Sequence, residues 1–360
     1  MSVEFIGYTG TNNVSEIHPP TGFDREWVKK VAQAHEDGGF DRVLVAQGSS
    51  SPDSQVVTTY AAAHTSKIKF LLSHRPGFEG PALAARKLAT IDQFSAGRLA
   101  VHIITGGTDS EMQKDGDFLS KHERYQRTDE YLGIVRKTWT LDKPFDHEGK
   151  YYRYKDAFAD IKPVQKPHIP IFFGGSSEIA IEVAGRHADV YAFWGEPLAA
   201  ASETVTQVRK AAAKYGRQIK FSLSLRPILA ATEEAAWARA ERIRERTIAL
   251  REKAGLPLTG HAPANVGSQR LLQAAALGER LDKRLWTSIA AVTGAAGNST
   301  ALVGTPEQVA DALLDYYDIG ISNFLIRGFN PLEDAIDYGA NLIPLVRRLV
   351  ANRNVDRQAS

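Results

Sequence analysis

The chain has no cysteine. That excludes disulfides, thiolate catalysis, and cysteine-ligated zinc or iron–sulfur clusters. A surplus of one charge is also missing: 44 Lys and Arg stand against 42 Asp and Glu, a formal net charge of +2, with no basic block. Nothing in this balance suits an extended polyanion, so no nucleic-acid partner is expected. Charge-rich stretches such as Arg239–Arg251 interleave the two signs at helical spacing and read as a solvated face. No apolar run reaches membrane-spanning length, and the N-terminus lacks a basic segment followed by an apolar core. A membrane partner is not expected, and a soluble cytoplasmic protein is. The 10 histidines are scattered without an HExxH or comparable pair, so no metal site is expected.

What the chain does have is an alternation repeated along nearly its whole length. Apolar, β-branched runs at Val3–Tyr8, Arg42–Ala46, Ile68–Ser73, Leu99–Thr105, Ile169–Phe173, Val190–Trp194, Phe221–Ile228 and Phe324–Arg327 are each followed by a stretch of helical spacing. Continuous apolar strands separated by helices imply a parallel sheet covered on its outer side, and eight such units favour closure. The expected fold is α/β, a TIM (β/α)8 barrel with insertions in one domain over residues 1–360, since 360 residues exceed the usual barrel of about 250. Helix starts support the count: Thr305-Pro306-Glu307 supplies a cap, a first-turn proline and an acid, while Asp53, Thr232 and Pro331 open other helices. One insertion, 145–154, reads as a hairpin around His147-Glu148-Gly149-Lys150. A larger one, 255–300, carries Gly260, Gly267, Gly278, Gly294 and Gly297. It suits either a mobile cover or a segment packed permanently on the barrel or a neighbouring subunit.

The fifth strand ends in Pro170-Ile171-Phe172-Phe173-Gly174-Gly175-Ser176-Ser177 as a helix begins. Free N–H groups, the positive end of the helix dipole and short hydroxyls suit a bound dianion, and the carboxyl ends of barrel strands form the ligand face. A plain N-capped helix explains the same residues. His74, after the third strand, suits a hydrogen bond to an anionic cofactor edge or proton transfer near neutral pH. Trp194 suits an apolar wall, and Arg226 and Arg327 suit an anionic substrate because the guanidinium offers a permanently charged fork. Core packing for the tryptophan, and salt bridges to Glu196, Asp334 or another acid for the arginines, fit equally well.

Thr105-Gly106-Gly107, His122-Glu123-Arg124-Tyr125, Phe173-Gly174-Gly175-Ser176-Ser177, Trp194-Gly195-Glu196-Pro197 and Thr300-Ala301-Leu302-Val303-Gly304 together resemble the luciferase-like flavin monooxygenases, most of all the alkanesulfonate monooxygenase branch. Leu83-Ala84-Ala85-Arg86, Ala89-Thr90-Ile91-Asp92 and Ser95-Ala96-Gly97-Arg98 extend the resemblance, which covers roughly residues 1–350. It implies reduced FMN delivered by a separate NAD(P)H-dependent flavin reductase, O2 as co-substrate, and a homodimer or homotetramer. The FMN phosphate would sit at Gly175, Ser176 and Ser177, reached by Tyr125 and contacted by Lys121. Thr105 and Gly106 would border the flavin ring, Phe5 would line the end of the first strand, and a cis peptide would join Ser73 to His74. Arg226 or His74 would steady anionic charge, while Trp194 and the 255–300 segment keep water out.

Against the sulfonate branch, Ser224 and Arg226 replace an arginine–histidine pair on the seventh strand, and Thr293 replaces a lid arginine. Pro331 and Phe329 replace a histidine and a tyrosine, Ser51 replaces a cysteine, and Lys121 stands where the histidine before Glu-Arg-Tyr is usual, with His122 beside it. A carbon–sulfur bond in an organosulfonate is the leading target, and a larger heterocycle such as riboflavin is the alternative. A non-catalytic flavin-binding barrel and a deazaflavin-dependent hydride transferase are competing classes.

Overall fold

The computed structural model describes residues 2–258 and 263–359, with side chains through residue 355; Gly260 of the larger insertion lies outside the described residues. All eight expected strands form: β1 Glu4–Thr9, β2 Arg42–Val45, β3 Lys69–His74, β4 Leu99–Ile103, β5 Ile171–Gly174, β6 Val190–Trp194, β7 Lys220–Leu229 and β8 Asn323–Ile326. They are hydrogen-bonded in the order β7-β8-β1-β2-β3-β4-β5-β6, and β6 also pairs with β7, so the sheet closes. The fold is a (β/α)8 barrel with helices around it. Strands covered on both faces read as near-continuous apolar runs, broken here by Ser73 on β3, His102 on β4 and Ser222, Ser224 and Arg226 on β7.

Two compact units divide the chain: Met1–Val43 with Ala192–Gln207 and Lys220–Ser360, and Leu44–Tyr191 with Val208–Ile219. In the second unit, Phe70–His74 runs in parallel register with Leu99–Ile103, and Val101–Ile103 with Ile171–Phe173. Strands Phe145–Glu148 and Arg153–Ala157 pair antiparallel, running past the expected 145–154, with a register shift between Phe145 and His147.

In the first unit, β7 is ten residues long and serves two partners. Ser222–Leu225 pairs with Asn323–Ile326 of β8, and Arg226–Leu229 pairs with a further parallel strand, Ala301–Gly304. Two short antiparallel strands, Leu285–Trp286 and Arg280–Leu281, extend that edge. The described part of the larger insertion is thus built onto the upper half of β7. It also packs: Trp286 and Ile289 join Ile228, Ala240, Ile243 and Phe329 in one buried cluster, and Leu271, Ala290 and Ala295 form another.

The helix starts follow their sequence signals. Asp53 accepts from the Gln55 and Val56 amides, Thr232 from Ala235, and Thr305 forms a capping box with Gln308 ahead of Pro306. No described helix is long and apolar enough to cross a membrane.

Candidate active site

The turn after β5 departs from an ordinary capped helix. Ser177 is the N-cap of helix Glu178–His187, yet its side chain makes no capping hydrogen bond. Its Oγ is instead buried and faces the Tyr125 phenol without a well-aligned hydrogen bond. Buried hydroxyls are almost always paired, so one without an aligned bond at a helix N-terminus marks a place for a ligand acceptor. Gly175 has φ of +138°, a conformation side chains rarely adopt, and a Cβ there would lie 2.5 Å from Tyr125 Oη and 2.8 Å from Ala180 Cβ. Its carbonyl accepts a 2.5 Å hydrogen bond from Tyr191 Oη, which holds the turn open.

Tyr125 lies against the turn. It is 4% exposed. Burial raises its pKa, while the nearby Thr105 and Ser177 side chains and Arg124 work the other way, so the phenol stays protonated and can donate. Gly175, the Ser177 hydroxyl, the Tyr125 phenol and the start of helix Glu178–His187 thus come together at one turn.

Tyr125 is placed by the helix Lys121–Thr140, which opens with a capping box between Ser120 and Glu123. Arg124 is buried beneath that start, donating to the Thr105 carbonyl at 3.1 Å and the Leu119 carbonyl at 2.6 Å, and pairing with Asp109 at 2.9 Å. It ties the loop after β4 to the helix carrying Tyr125. Sequence reasoning overlooked it, although it stands inside the His-Glu-Arg-Tyr motif. Thr105 is buried. Gly106 has φ of +94°, and a Cβ there would meet Met112 Sδ at 2.2 Å, so only glycine lets the loop lie flat on Met112. Lys121 is half-buried at the helix start, its pKa lowered by burial and by Arg124.

The end of β3 brings two corrections. The cis peptide among the described residues joins Lys166 and Pro167, not Ser73 and His74. The Ser73 and His74 pair lies inside a regular parallel ladder, Ser73 opposite His102 and His74 opposite Ile103, with Ser54 Oγ donating to the Ser73 carbonyl at 2.7 Å. His74 Nε2 lies 2.6 Å from Tyr131 Oη on the helix Lys121–Thr140, and burial lowers its pKa to about 4. Facing that helix as a neutral partner of Tyr131, His74 is not the expected proton carrier at the cofactor edge. Ser51 is exposed, its amide bonded to the Gly48 carbonyl at 3.0 Å. Its neighbour Ser49 accepts from Arg75 at 2.9 Å, and Arg75 in turn pairs with Glu111 at 2.5 Å.

The first unit gathers the arginines. Arg226 is 0% exposed and pairs with Glu16 at 2.5 Å, donates to the Gly328 carbonyl at 3.0 Å, and lies over the Phe329 ring at 3.6 Å. Glu16, missed in the sequence, is held ionised: burial would raise its pKa, but Arg226 and Arg327 bring it down to about 2. Arg226 is therefore already charge-paired with Glu16, although its Nη1 is buried without a hydrogen-bond partner. Glu196 and Asp334, the other acids considered for it, pair with Arg270 and Arg239. Arg327 is half-buried over the Tyr8 ring at 4.3 Å, with Nε buried and unpartnered.

Trp194 packs on the cluster Leu271, Ala290 and Ala295, and a Cβ at Gly267 would lie 3.2 Å from its ring. Phe5 is corrected: it shares a face of β1 with Gly7, where a Cβ would strike the His35 ring at 1.9 Å, and Arg347 lies over its ring at 5.9 Å. It sits between sheet and helices, and Ile6 and Tyr8 take the opposite face. Thr293 donates to the Ile289 carbonyl at 2.6 Å.

Eight parallel strands closed into a sheet, with this glycine–serine turn after the fifth, define a (β/α)8-barrel protein. The luciferase-like monooxygenase family matches residues 3–323, and the chain belongs to it. It is a flavin-dependent monooxygenase. Among solved structures, a riboflavin lyase with modified FMN and its substrate riboflavin is similar at TM-score 0.79 and 21% identity, over 97% of this chain and 92% of that one. The EDTA monooxygenase of Chelativorans sp. BNC1 is similar at TM-score 0.76 and 19% identity, over 97% and 94%. A protein of Hyphomicrobium sulfonivorans gives TM-score 0.77 and 21% identity, over 97% and 88%.

Proposed function

We propose that this chain is the oxygenating component of a two-component system that uses reduced FMN from a separate NAD(P)H-dependent flavin reductase, with O2 as co-substrate. The observation that carries the reading is the buried Ser177 hydroxyl, which caps no helix amide, beside Gly175 and Tyr125. The Gly175–Ser177 amides and the hydroxyls of Ser176, Ser177 and Tyr125 would hold the FMN phosphate, with Lys121 as a nearby cation. Thr105 and Gly106 would border the ring. When bound, the reduced flavin supplies the electrons that activate O2 for transfer of one oxygen atom to the substrate.

The chain's own residues position and enclose. Arg124 fixes the Thr105 loop relative to Tyr125, and the described part of the 255–300 segment, which packs through Trp286 and Trp194, is the proposed cover against water. The substrate is proposed to be an organosulfonate cleaved at its carbon–sulfur bond, with Arg327 as the cation that meets it, since Glu16 already occupies Arg226. That charge pairing also favours a second reading, a larger, less anionic heterocycle such as riboflavin. Assembly as a homodimer or homotetramer, in the cytoplasm, completes the proposal.

Turnover with a flavin reductase, NADH and O2 against a panel of sulfonates and riboflavin tests it. Substrate-dependent sulfite release supports the first reading, and consumption of the heterocycle supports the second. Tight FMN binding with no product from either class, or tighter binding of a deazaflavin than of FMN, would contradict both.

A further inference from the structure

His102 lies within β4, in Leu99-Ala100-Val101-His102-Ile103. The direction of its side chain follows from its neighbours. In parallel register His102 stands opposite Ser73 on β3 and Phe172 on β5, while Ile103 stands opposite His74 and Phe173. Residues paired in this way share a face, and successive residues alternate. His74 bonds Tyr131, and Phe173 packs on Tyr125 with ring centroids 6.3 Å apart, so the row His74, Ile103 and Phe173 faces the helix Lys121–Thr140. Ser73, His102 and Phe172 therefore face away from that helix, onto the inner side of the sheet.

On that side His102 is only half-buried, yet its Nδ1 is fully covered and without a hydrogen-bond partner. Burial lowers its pKa to about 4, so the imidazole is neutral near neutral pH, with one nitrogen donating and the other accepting. A buried unpaired nitrogen between Ser73 and Phe172 is a cost that a polar ligand removes. Its distance from the cradle is also suitable. Phe172 is two residues before Gly174, so a rise of about 3.3 Å per residue and a strand spacing of about 4.8 Å put the His102 backbone roughly 8 Å from the turn. The ribityl chain of FMN bridges such a gap between phosphate and ring.

We propose that His102 is a flavin contact, its Nδ1 hydrogen-bonding a polar atom of the isoalloxazine ring. The inference rests on the FMN reading above and goes beyond it by fixing which residue meets the ring from the inner face of β4. Affinity for oxidised FMN and for lumiflavin, which keeps the ring but lacks the ribityl phosphate, is measured by fluorescence quenching for the wild type, His102→Leu, His102→Asn and Ser177→Ala. His102→Leu is expected to weaken both ligands about tenfold, the loss of one hydrogen bond. His102→Asn retains most of the affinity, and Ser177→Ala weakens FMN alone.

Unchanged binding of both ligands by His102→Leu, with only its thermal midpoint moved, assigns His102 to packing and overturns the contact. An effect confined to FMN overturns it too. If the wild type binds no FMN, the underlying reading falls with it; if Ser177→Ala loses FMN while His102→Leu does not, only the His102 contact falls. Should His102→Leu fail to fold, the bound-flavin absorption spectrum of His102→Asn decides. A shifted band supports the contact, and a spectrum identical to the wild type overturns it.

Discussion

At Gly175 a single methyl group decides whether the cradle stays open. A Cβ would sit 2.5 Å from Tyr125 Oη, at a φ already foreign to side chains. Gly175→Ala is expected to cost roughly 1–3 kcal/mol of stability and most of the FMN affinity, read by thermal melts and flavin titration. Ser177→Ala separates binding from folding, because its hydroxyl caps nothing. FMN affinity should fall about 10–100-fold, the loss of a hydrogen bond to a charged group, while stability shifts by less than about 0.5 kcal/mol. Arg226→Met leaves the Glu16 carboxylate without its main partner and is expected to cost about 3–5 kcal/mol, measured by denaturant unfolding. A loss of substrate turnover at unchanged stability would instead make Arg226 a substrate ligand. Little of this was legible at the residue scale. Glu16 sits in a loop where an acid ordinarily meets water, and nothing local signals an arginine more than two hundred residues away. Arg124 was visible only as a letter in a motif whose tyrosine drew the assignment.

At the scale of elements, helix starts with a side-chain cap, such as Thr305, contrast with Ser177, which like Thr287 and Asn330 makes no capping bond. Thr305→Ala should cost about 1 kcal/mol without touching FMN affinity, the reverse of Ser177→Ala, and the two variants measured side by side distinguish a cap from a ligand site. All eight barrel strands were legible because burial on both faces leaves long apolar runs, and the caps were legible because their chemistry is local. The strands Arg280–Leu281, Leu285–Trp286 and Ala301–Gly304 were not. Two residues carry no periodicity, and Ala301–Gly304 exists only because β7 outlasts β8 and offers a free edge. The faces on which Phe5 and His74 fall depend on register against neighbouring strands and helices, which no single strand's sequence states.

For the whole molecule, buried histidines set the acid limit. Burial lowers the pKa of His35, His74 and His102 from 6.5 to about 4. Between those values the unfolded chain binds protons that the folded one does not, so the stability these groups contribute is present above pH 6.5 and is lost as pH falls through 4. Glu16, lowered from 4.5 to about 2, adds a second loss below pH 4.5. The thermal midpoint should therefore decline by several degrees from pH 6.5 to 4 and further below, and a flat profile across that window would contradict the burial described.

The central claim is that the turn after β5 binds the phosphate of FMN. Its most direct test is an anaerobic titration of the wild type and Gly175→Ala with reduced FMN, each with and without inorganic phosphate as competitor. The account predicts tight binding that phosphate weakens in the wild type and that Gly175→Ala largely abolishes. Equal affinity of the two proteins, insensitive to phosphate, would contradict it.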